Sequence, residues 1–239
     1  MKFIVDRVEI ITLEDGFKYY GIFDKENKDW YEELKKFKSD TLKVMYNKDT
    51  HLVFSANVDA SMIAPTMSGD VVEEIEYQEF EAEPGNYFVD GKIVKLKECE
   101  AIKDGKIIFN RDFKIEQIKA ELSKLKTEHS EKAFVFKDDY VQRNRELDKN
   151  NLNNIVTMML ATKKANFEGW KFKNKDGTDV YVTLTLQDVL ELSKTMTEQT
   201  TKAMHTETVL RENLVNLSDA ELKNFNAEEE FEKLWNSGK

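Results

Sequence analysis

The three histidines and the single cysteine are the residues best suited to nucleophilic or metal chemistry, and their spacing supports neither. His51, His129 and His205 lie far apart in the sequence. None is accompanied by the second histidine or cysteine pair that zinc hydrolases and deaminases use. Cys99 stands between two glutamates, which disfavour the thiolate that a nucleophile needs. The sequence therefore predicts no catalytic residue and no metal site.

Sequence patterns for phosphate or calcium binding are also missing. No G-x-G-x-x-G, Walker or G-x-S-x-G pattern occurs. Read as a calcium loop, the turn at 174–177 would put Phe172 and Thr183 where carboxylates are required, so it is interpreted as a hairpin turn. Residues 70–83 hold seven acids, but interleaved apolar residues favour an exposed edge strand over a cation site. We predict that the protein binds no cofactor and is not an enzyme.

The composition argues against several classes of partner. The 239 residues include 36 Lys+Arg against 46 Asp+Glu, a formal net charge of −10. Such a chain lacks the excess of basic residues that duplex DNA requires, and an anionic membrane surface would repel it. No apolar run approaches the roughly 20 residues that cross a bilayer, and the first residues do not form a signal peptide. We expect a protein made in the cytoplasm, without a nucleic-acid partner or membrane insertion.

The elements that would position any site divide the chain into three sections. Residues 1–112 predict a strand-rich domain with one short helix at 29–38. Its β-branched and aromatic runs, among them 5–13 with 17–23 and 42–46 with 52–55, are separated by polar turns. Asp90-Gly91 between two apolar runs is the strongest hairpin signal. Residues 113–130, with apolar positions every three or four residues, predict a connecting helix.

Residues 131–239 predict a helical α+β domain. A strand at 133–136 precedes a helix at 139–164, and a two-stranded ribbon follows at 170–172 and 180–182. Thr185 with Asp188 begins a long helix that extends to about residue 217, and Ser218 with Glu221 begins a short final helix. The predicted fold class is therefore α+β: a strand-rich N-terminal domain, a connecting helix, and a C-terminal domain of helices packed on a short antiparallel ribbon.

The long helix carries one apolar stripe with two interpretations. Val189, Met196 and then Ala203, Leu210 and Leu217 recur every seven residues, whereas the flanking positions are largely polar. The stripe could pack on the ribbon of its own domain, which we favour up to Ala203. Beyond Ala203 we expect the helix to extend past its domain. Ala203, Leu210, Leu214 and Leu217 are then candidate self-association residues in a coiled coil.

The last section also resembles a known family. The pattern includes Phe167, Gly169, Trp170, Phe172, Asp176-Gly177, 184–192, His205, 210–214, 218–222 and Trp235. It resembles a C-terminal domain family of unassigned function that recurs in bacteriophage tail-fibre and tail-fibre-assembly proteins. The resemblance covers roughly residues 131–239, and the Thr-rich long helix departs from the usually Ala-rich family helix.

This resemblance implies a function without catalytic residues. We expect a structural component of a phage or tailocin tail fibre or baseplate, made in the bacterial cytoplasm and located in the virion or tailocin tail particle. Its partners would be other tail or fibre proteins and itself, in a trimer because fibres are commonly three-fold. Two alternatives stay open: a tail-fibre assembly chaperone and, far behind, an enzyme acting on cell-wall glycans through two carboxylates.

Overall fold

A computed structural model describes residues 1–80, 84–137 and 139–237 of the chain. It is an α+β protein in which a strand-rich N-terminal half precedes a helical C-terminal region. The chain forms two compact units, Met1–Asn110 and Arg111–Lys239. The boundary lies close to the end of the predicted 1–112 domain. The helix predicted as a connector at 113–130 lies inside the second unit, because it packs there against three other helices.

The first unit is organised around one antiparallel sheet and three hairpins. The sheet has the strand order β1-β6-β4-β5, and the hairpins are β2–β3, β7–β8 and β9–β10. The strands are β1 Lys2–Ile4, β2 Arg7–Thr12, β3 Lys18–Phe23, β4 Leu42–Asn47, β5 Val53–Asn57, β6 Asp70–Ile75, β7 Asn86–Val89, β8 Lys92–Lys95, β9 Glu100–Lys103 and β10 Lys106–Phe109; α1 is Trp30–Glu33, followed by a 3₁₀ turn at Leu34–Lys36, and a second 3₁₀ turn is Ala60–Met62.

Both faces of the four-stranded sheet are buried. Successive side chains of a strand point to opposite faces, and Val71 and Val72 accordingly belong to different apolar clusters. Val72 packs in a cluster with Phe3 and Trp30, whereas Val71 packs in a cluster with Phe88. The acidic segment at 70–83 is therefore not an edge strand where the structure describes it, because β6 pairs with β1 on one side and β4 on the other. Residues 81–83 of that segment lie outside the described residues.

The second unit packs helices on one four-stranded antiparallel sheet with the order β11-β12-β13-β14. The first half of the long helix and α3 cover the sheet, as the buried cluster of Trp170, Phe172, Leu152, Met159 and Met196 shows. The elements are α2 Arg111–Glu131, β11 Phe134–Phe136, β12 Tyr140–Gln142, α3 Glu146–Thr162, β13 Asn166–Lys173, β14 Asp179–Thr185, α4 Leu186–Asn213 with a 3₁₀ turn at Leu214–Asn216, α5 Asp219–Asn224 and α6 Ala227–Asn236.

Two elements of this unit differ from the sequence prediction. The start of the predicted helix at 139–164 is strand β12, because Val141 pairs with both Val135 and Lys173 and so joins β11 to the ribbon. Gln142 in β12 also accepts a hydrogen bond from Trp170 Nε1, at 3.0 Å. The predicted ribbon is thus half of a four-stranded sheet. The single final helix is two helices, α5 and α6, separated by Phe225 and Asn226.

Candidate functional site

The predicted self-association stripe lies inside the second unit. Ala203 and Leu214 are fully buried, and Leu210 is 7% exposed. α4 contacts α2 and α6, two helices that lie on either side of it in the sequence. Its distal half reaches both, because Glu207 binds Ser123 of α2 and Lys202 lies over the Trp235 ring of α6. The expectation that α4 extends past its domain is therefore wrong. A second copy of the chain could reach these residues only if the helices separated.

Leu217, the last candidate residue, lies after α4 and has a different environment. Its side chain is half-buried and lines a groove with Ala220 and Phe225. The structure therefore brings Ala203, Leu210 and Leu214 into one core and places Leu217 at the surface of the α5–α6 region.

Side-chain amides fix the C-terminal end of α2 to its neighbours. Gln199 Nε2 donates hydrogen bonds to the carbonyl oxygens of His129 at 2.9 Å and Lys132 at 2.7 Å. Asn144 Nδ2 donates to the carbonyl oxygens of Ser130 at 2.7 Å and Met196 at 3.1 Å. The last carbonyl groups of a helix have no partner within the helix, so these amides supply donors to the carbonyl groups of His129 and Ser130 at the end of α2. The bond to Met196, in the middle of α4, ties Asn144 to that helix.

A buried carboxylate joins α2 to α4. Glu207 is 7% exposed and accepts a hydrogen bond from Ser123 Oγ at 2.6 Å. Its carboxylate also lies 3.2 Å from Lys126 Nζ and 3.3 Å from Arg211 NH1. Burial opposes the charged form of Glu207, but the hydrogen bonds and the two cations outweigh it and lower the pKa of this carboxyl. A carboxylate held in this way stabilises the helix pair and is not available as a general acid.

The histidines occupy separate places. His129 is buried, with ring centroids 4.8 Å from Phe231 and 4.9 Å from Trp235. His51 lies in the first unit, where its Nδ1 is 2.9 Å from the carbonyl oxygen of Phe88. His205 is exposed on α4. Within the described residues, no group of three or more His, Cys, Asp or Glu side chains could hold a metal ion.

The exposed face of α4 is the surface that the sequence analysis missed. We call it the outer seam: Leu190, Thr197, Thr201, Met204 and Thr208. Leu190 is 47% exposed and Met204 56% exposed, and the three threonines are exposed as well. Thr197, Thr201, Met204 and Thr208 are spaced by three or four residues, and Leu190 lies two turns before Thr197, so all five lie on one side of the helix, with Lys194 between Leu190 and Thr197.

The outer seam is less polar than its composition indicates. Thr197 Oγ1 donates to the carbonyl oxygen of Ser193 at 2.8 Å, and Thr208 Oγ1 donates to that of Met204 at 2.9 Å. These hydroxyl groups are satisfied by their own helix, so a partner could cover them without leaving a donor unpaired. The nearby Lys194 and Glu198 form a 3.8 Å ion pair with each other. The seam is thus suited to contact with another protein surface.

The sequence contained a weak signal for this seam. Leu190, Thr197 and Met204 recur every seven residues, one position after Val189, Met196 and Ala203. The two stripes are adjacent on the helix. Hydrophobicity favours the first as the buried one, which leaves the second at the surface.

Comparison with protein families identifies a family that matches the second unit. The model of a family described as Domain of unknown function (DUF4376) matches residues 110–231, slightly more than half of the chain. The chain therefore belongs to this family. The match runs from the residue before α2 to Phe231 in α6, so it includes the sheet, the outer seam and the buried stripe. A search of curated proteins gives no match.

Among the residues that the structure describes, no helix is both long enough and apolar enough to cross a membrane.

Proposed function

We propose that this protein is a structural component of a phage or phage-derived contractile particle, in its tail fibre or baseplate. Two lines of reasoning support the proposal. Residues 131–239 resemble the C-terminal domains of tail-fibre and tail-fibre-assembly proteins, and the family match covers most of the same region. The observation that carries a role in protein contacts is the outer seam, an exposed and mostly uncharged face on the longest helix of that region.

A second copy of the chain is the partner that we propose for the outer seam. The protein has a net charge of −10, so two copies repel each other over most of their surface. The seam is a place where this repulsion is weak, because its five side chains are neutral. The heptad spacing also lets identical helices meet in register, with Met204 against Met204 and Leu190 against Leu190. A trimer agrees with the three-fold symmetry of fibres.

The energy available from the seam is sufficient for a weak interface. Complete burial of an apolar side chain such as leucine or methionine stabilises by about 1.5–3 kcal/mol. Leu190 and Met204 are 47% and 56% exposed, so covering the remainder of both contributes about as much as one complete burial, roughly 1.5–3 kcal/mol per chain. The satisfied hydroxyl groups of Thr197 and Thr208 add little desolvation cost.

Sedimentation equilibrium of the full chain at tens of micromolar tests self-association. We expect the wild type to associate and Met204→Asp to sediment as a monomer. Leu160→Asp is the matched control, because Leu160 is a similarly exposed apolar residue on α3, 58% against 56% exposed. A monomeric wild type, or equal dissociation by both variants, would rule out the outer seam as the self-association surface.

The place of the protein in a particle needs a separate experiment. Tail particles purified from the producing strain are analysed by quantitative mass spectrometry for the copy number of this chain. A fixed integer ratio to the fibre protein supports the structural role. Absence from finished particles, together with insoluble fibre protein when the chain is deleted, would instead support the assembly chaperone.

A further inference from the structure

A groove between α5 and α6 is a concave surface of the second unit without an assigned role. It has a volume of ≈ 470 Å³, within the range of about 300–1,000 Å³ that is usual for binding pockets. Its apolar floor is formed by Leu217, Ala220 and Phe225, and its rim includes Glu221, Glu229 and Glu230.

The walls of this groove are held in place by buried residues and helix caps. Leu222 anchors α5 and Phe231 anchors α6, and both side chains are fully buried. Ser218 begins α5 with a reciprocal capping box to Glu221, and the Asn226 side chain accepts a hydrogen bond from the backbone N–H of Glu229 at 3.2 Å. The N-terminal ends of both helices are therefore capped, and each helix has a buried anchor, so the groove is formed before any partner binds.

The charge of the groove is of one sign. The side chains that line it include three glutamates and no lysine or arginine. Glu230 lies 3.7 Å from Lys233 on its own helix, a weak exposed pair that a stronger cation could replace. A second groove on the other side of Phe225 differs, because Lys114 and Lys124 line it together with acids. The charged side chains that line the first groove are thus all acidic, whereas its neighbour is lined by charges of both signs.

We infer that the α5–α6 groove binds a basic segment of another protein, with an apolar side chain on the floor and lysine or arginine side chains at the glutamate rim. The floor alone would accept any apolar residue. The rim restricts the partner to a cationic one, since an acidic segment would be repelled by three carboxylates. The surface is separate from the outer seam, so this inference does not depend on self-association.

The test uses the full chain, labelled with ¹⁵N, and three synthetic peptides followed by NMR titration at about 0.1 M salt, where the Debye length is about 10 Å. The first peptide is Gly-Lys-Leu-Lys-Phe-Lys-Leu-Gly. The second has glutamate in place of each lysine, and the third has serine in place of each apolar residue. We expect saturable shifts at the amides of Leu217, Ala220 and Phe225 with the first peptide alone.

Two double variants separate the groove from general attraction to an acidic protein. Glu229→Gln with Glu230→Gln should lower the affinity for the first peptide by about 2- to 30-fold. The range follows because one exposed ion pair accounts for a factor of roughly 1.4–5 in affinity and two pairs are removed. Glu191→Gln with Glu212→Gln on α4 makes the same charge change elsewhere and should leave the affinity within twofold. Both variants should retain the wild-type amide spectrum outside the substituted turns.

Several results would overturn the inference. Equal weakening by the two double variants, or equal binding of the serine peptide, would show attraction by charge alone. Shifts that map outside the groove would place the site elsewhere. Concentration-dependent shifts of the same amides without peptide would show that a second copy, and not a basic segment of another protein, occupies the groove.

Discussion

Replacing Leu214 by alanine tests directly whether the end of the apolar stripe, in the 3₁₀ turn that follows α4, belongs to the core of its own unit. Leu214 is fully buried, and its neighbour Val215 is 66% exposed. A leucine-to-alanine change at a buried site removes transfer free energy and leaves a cavity, which costs about 2–5 kcal/mol. The same truncation at Val215 should change the free energy of unfolding by less than about 0.5 kcal/mol, because an exposed side chain loses little on truncation.

The measurement is urea unfolding of the full chain, followed by far-UV circular dichroism and by tryptophan fluorescence. Trp170 and Trp235 report on the second unit and Trp30 on the first, so a stability loss confined to the second unit appears as a separate early transition. Leu214→Ala should lower the urea midpoint of that transition at constant m-value. A midpoint that matches that of Val215→Ala would refute the packing described for this helix and restore the exposed-stripe interpretation.

Three further outcomes are expected. Burial opposes the charged form of Glu74, yet hydrogen bonds from Thr41 Oγ1 at 2.7 Å and the Lys38 backbone N–H at 2.6 Å lower its pKa to about 2. Because this pKa is depressed, the stability contributed by the Glu74 carboxylate is fully present above its ordinary pKa and lost as the pH falls toward 2. Thermal unfolding of Glu74→Gln at pH 7 and at pH 2.5 should show a larger deficit at pH 7, because at pH 2.5 part of the contribution of the carboxylate has been lost. Gln199→Ala should cost about 0.5–1.5 kcal/mol in urea unfolding, since the partly buried carbonyl oxygen of His129 and the exposed one of Lys132 lose this donor; the exposed Glu198→Ala should stay within about 0.5 kcal/mol, and equal losses would contradict the role given to the amide. Finally, limited proteolysis should leave a stable fragment that begins near Arg111, and a fragment 133–239 expressed alone should be unfolded because it lacks α2. A folded 133–239 fragment would instead support a separate connecting helix.

Local features of this fold could be read from the sequence because they depend on residues only a few positions apart. Asp90 and Gly91 both adopt positive φ, 51° and 74°, which agrees with the tight hairpin turn predicted from that dipeptide. Thr185 with Asp188 and Ser218 with Glu221 both form the predicted capping boxes. In each case the side chain and the backbone groups that it satisfies lie within the same turn.

Strand β12 and the environment of α4 were decided by tertiary structure. Val141 belongs to a strand because Val135 and Lys173, which are distant from each other in the sequence, offer it backbone partners on both sides. The helical spacing of the following residues could not reveal those partners.

The same reason explains why the helices that cover α4 could not be read from the sequence. Its heptad spacing determined that one stripe of α4 would be buried, and the sequence identified that stripe correctly as far as Ala203. Whether Leu210 and Leu214 face another copy or their own unit depended on α2 and α6, which pack against α4 only after the chain has folded back from both directions. A hydrophobic stripe specifies that it must be covered, but its covering helices are selected by the packing of the whole unit.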